Sequence, residues 1–413
     1  MPDISKKWLC VIGIGEDGWD DLSADARDLL YESGIVLGGE RHLKMLPKDW
    51  EGERIVWSSP IREAVSKIVS WRPEDFASAQ KVAIMASGDP LCYGIAAKLL
   101  RHLPIEEIWI KPALTTFSLM CSRIGWSLPD VETLTIHGRP VEMLHPVVQP
   151  GAKLLVLSKG EESPGKAAKL LCARGFGKSI ITVLEHLGGK MERQISGQAG
   201  SWNQPEGAAL NAMAIQCIPE SNATILSRIP GLPDEAFIHD GQLTKREIRT
   251  VSLSRLIPVV DQVLWDVGAG CGSVAIEWMR TNPRCLAVAI EKSESRLKLI
   301  ERNSQELGVP MLRIVHGNAP EVLADLLAPD AVFIGGGLSS GNLLQICWNA
   351  LKPGGRLVAN VITLEGEQKL LQWQNENGGD LTRISISRSE EIGKFQGWKE
   401  MRSVIQLAVI KKY

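Results

Sequence analysis

The chain has 413 residues, 44% of them apolar and 23% charged, and its formal net charge is -2. That length exceeds one ordinary domain and predicts two or three. A near-neutral balance without a basic block argues against a nucleic-acid partner, and no apolar run is long enough to span a membrane. Eight cysteines are scattered without Cys-x-x-Cys pairs, so reduced thiols in a cytoplasmic protein and no metal site are expected. Met1 to Lys7 lead into an ordinary strand and not into a signal peptide. Thirteen tryptophans stand beside three tyrosines; some are candidates to line a pocket for a large flat ligand, while core packing and surface scatter is the simpler expectation for each taken singly.

In chain order, Trp8–Ile12 reads as a buried strand that empties into the loop Gly13–Gly18. A helix is expected from Leu22-Ser23 to Glu32, a short strand at Ile35–Leu37, and helical periodicity over 61–71. Lys81–Ala86 is the next strand. It opens into Ser87-Gly88-Asp89-Pro90, with Tyr93-Gly94 at the start of a further helix. Strands alternating with helices predict an α/β unit with a mostly parallel sheet, in which ligands bind at loops following strand ends. Gly13–Gly18 and Ser87–Pro90 are such loops, although each alone reads equally well as a plain turn.

Four stretches occur in a telling order: Ile12-Gly13-Ile14-Gly15, Ala86–Pro90, Pro112–Thr116 and Ile136–Arg139. With Leu154–Leu157, Thr182–Gly188 and Asn211–Ile215, they resemble the tetrapyrrole methylase family, the class III methyltransferases. The resemblance implies two α/β subdomains, about 1–111 and 112–218, with S-adenosylmethionine in the cleft between them. The cofactor candidates it implies are Gly13, Gly15, Ser87, Gly88, Asp89, Thr115 and Thr116. Ser87 stands where the family has glycine and Thr116 where it has alanine.

Residues 219–235 are rich in proline and turn formers and read as a linker. A helix follows through Leu256. Thr244 before it reads as an N-cap, with Glu247 completing a capping box. Val263–Ser273 then gives strand, glycine loop and helix start: Asp266-Val267-Gly268-Ala269-Gly270-Cys271-Gly272. The Gly-x-Gly-x-Gly spacing differs from the dinucleotide fingerprint and leaves no pyrophosphate to cradle. The run Cys285–Ile290 ends in Glu291, which can accept hydrogen bonds from both hydroxyls of a ribose. Arg313–His316 leads into Gly317-Asn318-Ala319, a place for an adenine. Ala331–Ile334 opens into Gly335-Gly336-Gly337, and Leu351–Val358 turns into a fifth strand. Helices start at Ser273, Ser293 and Gly341, and the last strands lie near Ile384–Ile386 and Ser403–Ile410. This half, 236–413, resembles the class I methyltransferases, which have a Rossmann-like seven-stranded sheet. The cofactor candidates are Thr244, Asp266, Gly268, Ala269, Gly270, Cys271, Gly272, Glu291, Asn318 and Ala319.

A tetrapyrrole methylase module fused to a class I module is similar to the bifunctional corrin methyltransferases of vitamin B12 (cobalamin) biosynthesis. The resemblance implies methylation of a reduced precorrin at carbons 5 and 15, with loss of carbon dioxide from the ring C acetate. It also implies one S-adenosyl-L-methionine per module and a homo-oligomer. Such a substrate carries many carboxylates, so Lys245, Arg246, Arg249, Arg41 and Arg139 are candidates to bind them. No catalytic acid or base is assigned; His42 and His137 are read as proton carriers or, more simply, as structural histidines, and His316 as structural. The alternatives are an RNA or protein methyltransferase with an N-terminal recognition domain, and a tetrapyrrole carrier without catalysis.

Overall fold

The computed structural model describes residues 7–57, 60–76, 79–338 and 341–412. The chain divides into two compact units: residues through Arg139 with Pro150–Ala223, and Pro140–Gln149 with the residues from Thr224 onward.

The first unit holds two sheets. In chain order its first five strands are β1 (Leu9–Ile14), β2 (Ile35–Gly38), β3 (Glu53–Val56), β4 (Val82–Ser87) and β5 (Ile108–Lys111). They form an entirely parallel sheet in the order β3-β2-β4-β1-β5. Every residue of β1 is buried, as a parallel strand covered on both faces requires. Leu9 and Val11 point into one apolar layer and Cys10, Ile12 and Ile14 into the other. The helix expected from Leu22-Ser23 runs over Ala24–Tyr31 and is capped by the Ser23 hydroxyl, which accepts from the Ala26 amide. β3 carries no apolar run and was not legible in the sequence. Tyr93-Gly94 lies ahead of the next helix, not within it. The helix is Ile95–Leu99, with Gly94 as its N-cap and Tyr93 at φ +57°.

The second sheet contains β6 (Glu132–Thr135), β7 (Lys153–Leu157), β8 (Ile180–Glu185), β9 (Arg193–Gln198) and β10 (Asn211–Gln216). Its order is β6-β7-β10-β8-β9, and all pairings except β6 with β7 are antiparallel. The mostly parallel expectation therefore holds for the first sheet alone. Helix Thr116–Ile124 packs Phe117 and Met120 onto Leu155, Leu184 and Ala212 of this sheet.

The second unit is built on β11 (Val263–Val267), β12 (Leu286–Glu291), β13 (Arg313–His316), β14 (Ala331–Ile334), β15 (Arg356–Val361), β16 (Asp380–Ile384), the hairpin β17 (Ser387–Ile392) with β18 (Phe395–Glu400), and β19 (Val404–Ile410). Seven strands make one sheet, β13-β12-β11-β14-β15-β19-β16, with β19 the antiparallel member between β15 and β16. Leu264 faces one core layer, while Trp265 and Val267 face the other, so helices cover both sides. Strand order reverses at β11 and β14, and the crevice beyond their carboxyl ends is the ligand position of such sheets.

Residues 224–235, read from sequence as part of a linker, pack onto the second unit, with one short 3-10 turn at Asp234–Ala236. Leu226, Leu232 and Phe237 belong to the core of the second unit. The Glu277 carboxylate accepts from the Gly231 and Leu232 amides at 2.6 and 3.0 Å.

Candidate functional site

Register assembles the site of the second unit. Val267 pairs with Ile290 on one side and Ile334 on the other. The residues that follow, Gly268, Glu291 and Gly335, therefore leave the sheet side by side. Gly268, Gly270 and Gly272 have φ of +73°, +60° and +82°, which L side chains rarely adopt. A Cβ on Gly268 would stand 3.1 Å from the Gly336 backbone, so the loops after β11 and β14 touch. Among the described residues, a Cβ on Gly270 would meet only the Gln242 carbonyl oxygen, at 3.5 Å, and one on Gly336 would meet nothing within 4 Å. The loops thus form a bare backbone cradle.

Glu291 closes one side of this cradle. Its carboxylate is 4% exposed. One oxygen accepts from the Gly270 amide at 2.9 Å, and the other from the Lys292 and Ser293 amides at 3.0 Å each. Three donors leave lone-pair capacity for a ligand hydroxyl. Asp266 is buried below the loop and accepts from the Ala275 amide at 3.0 Å. Desolvation, opposed by that amide and reinforced by the Glu291 charge, pushes its pKa up to about 7. Its folded pKa thus lies above the unfolded one, so stability declines as pH rises between about 4 and 7. Asp266 fixes the loop and start of helix Ser273–Thr281 from beneath, and its side chain is not presented to a ligand. The Cys271 thiol is raised to about 11 by burial. The Ala269 amide is held by the Ile290 carbonyl at 3.0 Å. Asn318 is exposed beyond β13, bonded to Glu321, with Ala319 half-buried beside it. His316 lies 3.2 Å from the Lys292 carbonyl through Nε2, in keeping with its structural reading.

A strap, residues 238–245, crosses this loop and is fastened at three points. Asn303 is fully buried; its side chain bonds the Ile238 amide and carbonyl and the Cys271 carbonyl, at 2.8, 2.9 and 2.9 Å. Asp240 pairs with Arg296 at 2.8 Å. Arg249 holds the Thr244 carbonyl at 2.5 Å. The capping box expected at Thr244 does not form. The helix is Arg246–Leu256 with Lys245 as N-cap, the Arg246 amide is satisfied by Asp234, and Glu247 pairs with Arg388 instead. Arg249 is also withdrawn as a substrate cation. It is 0% exposed, and its guanidinium is spent on Glu277, Asp234 and the Thr244 and Leu232 carbonyls. Lys245 is half-buried and Arg246 exposed, so both remain available at the strap's end. Asn303 and Asp234 were missed by sequence reasoning; an asparagine inside a polar helix carries no local signal.

In the first unit, Ile14 of β1 pairs with Ser87 of β4, and Ile12 with Lys111 of β5. The following loops therefore converge. A Cβ on Gly13 would lie 2.0 Å from the Gly88 carbonyl oxygen and 2.6 Å from the Ala113 nitrogen. Gly88 has φ +56° and donates its amide to the Ile14 carbonyl at 3.0 Å. Gly15 is open apart from the Asp17 nitrogen at 3.9 Å. Asp89 accepts from the Leu91 amide at 2.8 Å, shaping its turn. Thr115 caps helix Thr116–Ile124 through the Ser118 amide at 3.0 Å, leaving Thr116 in the first turn. All seven predicted residues of this unit thus lie on three adjoining loops or at the strand and helix ends that flank them.

Arg41 pairs with Glu16 and bonds Ser87 at 3.2 Å and His42 at 2.9 Å. Burial, with the neighbouring Arg41 charge, depresses His42 to about 4. Its Nε2 is already engaged by Arg41 and by the Ser87 hydroxyl at 3.0 Å and the ring is buried, which favours the structural reading over that of a proton carrier. His137 and Arg139 are exposed, the latter 6.0 Å above the Tyr93 ring. Across the unit, His186 places Nδ1 3.1 Å from Glu16.

Two family models match the chain. Tetrapyrrole (Corrin/Porphyrin) Methylases covers residues 9–202, and Precorrin methyltransferase domain covers residues 235–411. The chain is 42% identical over 405 residues to a precorrin-6Y C(5,15)-methyltransferase [decarboxylating] of Sinorhizobium sp, covering 98% of this chain and 97% of that protein. It is 29% identical to a cobalt-precorrin-7 C(5)-methyltransferase of Salmonella typhimurium, over 45% of this chain and 88% of that protein. It is 35% identical to a probable cobalt-precorrin-6B C(15)-methyltransferase (decarboxylating) of Pyrobaculum calidifontis, over 40% of this chain and 88% of that protein.

Proposed function

The chain belongs to the precorrin-6Y C(5,15)-methyltransferase (decarboxylating) family, and from that premise we propose a division of labour in which the first unit methylates carbon 5 and the second methylates carbon 15 and releases carbon dioxide. It is a C-methyltransferase of cobalamin biosynthesis acting on a precorrin tetrapyrrole with decarboxylation. The RNA- or protein-directed alternative finds no support among the relatives. The observation that supports two separate sites is that in each unit glycine-bearing loops converge at the carboxyl edge of that unit's own parallel strands.

S-adenosylmethionine supplies an electrophilic methyl group on a sulfonium, whose departure needs no acid. The residues present fit it. Among the described residues a Cβ added to Gly270 or Gly336 would meet almost nothing, and the buried Glu291 carboxylate keeps acceptor capacity beside them. In our reading Gly268–Gly272 and Thr244 hold its amino-acid end, Glu291 its ribose, and Asn318-Ala319 its adenine. In the first unit Gly13, Gly15, Ser87, Gly88, Asp89, Thr115 and Thr116 hold a second molecule, one per unit. The protein's work is then to align an electron-rich ring carbon with the methyl group, worth roughly 7–11 kcal/mol of barrier. Lys245 and Arg246, with Arg139 and the exposed part of Arg41, anchor substrate carboxylates. Eight free thiols suit a cytoplasmic setting. Self-association follows the family expectation.

Glu291→Ala is expected to weaken cofactor binding in the second unit by about 1–3 kcal/mol, the scale of a hydrogen bond to a charged group. Calorimetric titration with S-adenosylhomocysteine measures it, and unaltered affinity would place the ribose elsewhere. The function itself is tested by mass spectrometry of a reduced precorrin-6 incubated with enzyme and S-adenosylmethionine. Two methyl groups gained and one carbon dioxide lost is the expected product. No mass change would overturn the reading.

A further inference from the structure

Replacing a ring hydrogen by a methyl group releases a proton, and the mechanism so far gives it no destination. When the carbon–methyl bond forms, the ring bears a positive charge. The C–H electron pair must return to the conjugated system, and the hydrogen must leave as a proton. Such a base needs a lone pair within reach of solvent or substrate and a partner that stabilises it once protonated.

The first unit contains such a pair outside the residues assigned to the cofactor. His186 follows β8, and its Nδ1 lies 3.1 Å from Oε2 of Glu16, which is 15% exposed. Glu16 sits directly after Gly15 and is itself held by Arg41, which bonds Ser87. A carboxylate opposite Nδ1 fixes the proton on that nitrogen and leaves the Nε2 lone pair free. The His186 side chain is 23% exposed, so it is neither sealed in the core nor loose on the surface. Its backbone has φ +47°, in the left-handed region that is uncommon for any residue but glycine, although histidine enters it more readily than most. Strain of this kind gathers at functional positions and runs from the observed outlier to the hypothesis. The segment also packs closely on Glu16: a Cβ on Gly189 would lie 2.8 Å from Glu16 Cβ.

We propose that His186, oriented by Glu16, accepts the proton released from the ring carbon that the first unit methylates. The proposal rests on the assignment of a methylation to this unit. The proton passes to Nε2, and Glu16 stabilises the resulting imidazolium through Nδ1–H. Glu16 and Arg41 are positioning residues. The other charges near His186 are already engaged: Glu185 with Arg193, and Glu192 with Arg123 and the Gly188 amide. Asp17 approaches Gly188, with Oδ2 3.5 Å from where its Cβ would be.

His186→Asn is the informative variant, because asparagine tolerates a left-handed backbone and keeps a donor toward Glu16. Methylation at carbon 5 is expected to slow by roughly 100-fold or more, within the range for general-base loss. The acid limb of its rate–pH profile should vanish, while cofactor affinity of the first unit and methylation at carbon 15 stay at wild-type levels. In the free enzyme, ring-15N NMR should show His186 as the Nδ1–H tautomer, and Glu16→Gln should shift the population toward Nε2–H. A variant within threefold of wild type at carbon 5, or a wild-type His186 protonated on Nε2 alone, would overturn the role. A wild-type chain that methylates carbon 15 but never carbon 5 would overturn the unit's assignment, and the role with it.

Discussion

Gly270→Val is expected to abolish cofactor binding by the second unit and leave the first unit's binding intact. Gly270 has φ +60°, so a β-branched residue is strained there whatever the space. The space matters as well. Among the described residues the only atom within 4 Å of an added Cβ is the Gln242 carbonyl oxygen at 3.5 Å, so the side chain would project into the opening between loop and strap. Straining this backbone also pulls the Gly270 amide away from Glu291, the residue assigned to the ribose. Calorimetry with S-adenosylhomocysteine should fall from two equivalents per chain to one, and product formation should stop at one methyl with no carbon dioxide lost. Two equivalents in the variant would mean that this loop is not the site.

The largest stability effect is expected at Arg249. Its guanidinium is fully enclosed with Glu277, 1% exposed, and Asp234, 6% exposed. Arg249→Ala leaves Glu277 buried without its cation and Asp234 with Arg388 alone, a loss of about 3–5 kcal/mol. For a unit of this size that lowers the melting temperature by roughly 10 °C. The amides of Gly231 and Leu232 still reach Glu277, and Arg388 still reaches Asp234, which keeps the loss from being greater. Because Arg249 also holds the Thr244 carbonyl, cofactor affinity should weaken as well. A melting curve of the second unit unmoved by the substitution would show that the carboxylates relax to solvent.

Much of this was legible in the sequence, for particular reasons. Val263–Val267 and Leu286–Glu291 are apolar runs that end in functional groups, and the parallel register carries those groups to one edge. Ser23 announced its helix because capping is local. Thr244 misled because its capping partner came from twelve residues upstream, where the Asp234 side chain satisfies the Arg246 amide. Arg249 misled because charge in a sequence suggests surface, and a buried network appears only when distant carboxylates converge. The hairpin β17–β18 was invisible: its strands read Ser-Arg-Ser-Glu-Glu-Ile and Phe-Gln-Gly-Trp-Lys-Glu, with no buried face to impose alternation. Asn303 ties strap to glycine loop across more than thirty residues, and no spacing rule reaches that far.

The position of β19 bears on how the second unit is made. It lies between β15 and β16, pairing Val358 with Ala408 on one side and Ile405 with Arg383 on the other. Both neighbours are synthesised first. Until β19 emerges from the ribosome, each presents an open row of amides and carbonyls, and neither can pair with the other in the native arrangement. A nascent chain paused after β16 is therefore a template for strand addition by any extended peptide, the situation that chaperones relieve. Translation speed across residues 385–410 is then a determinant of yield, and slow codons there should favour aggregation over folding.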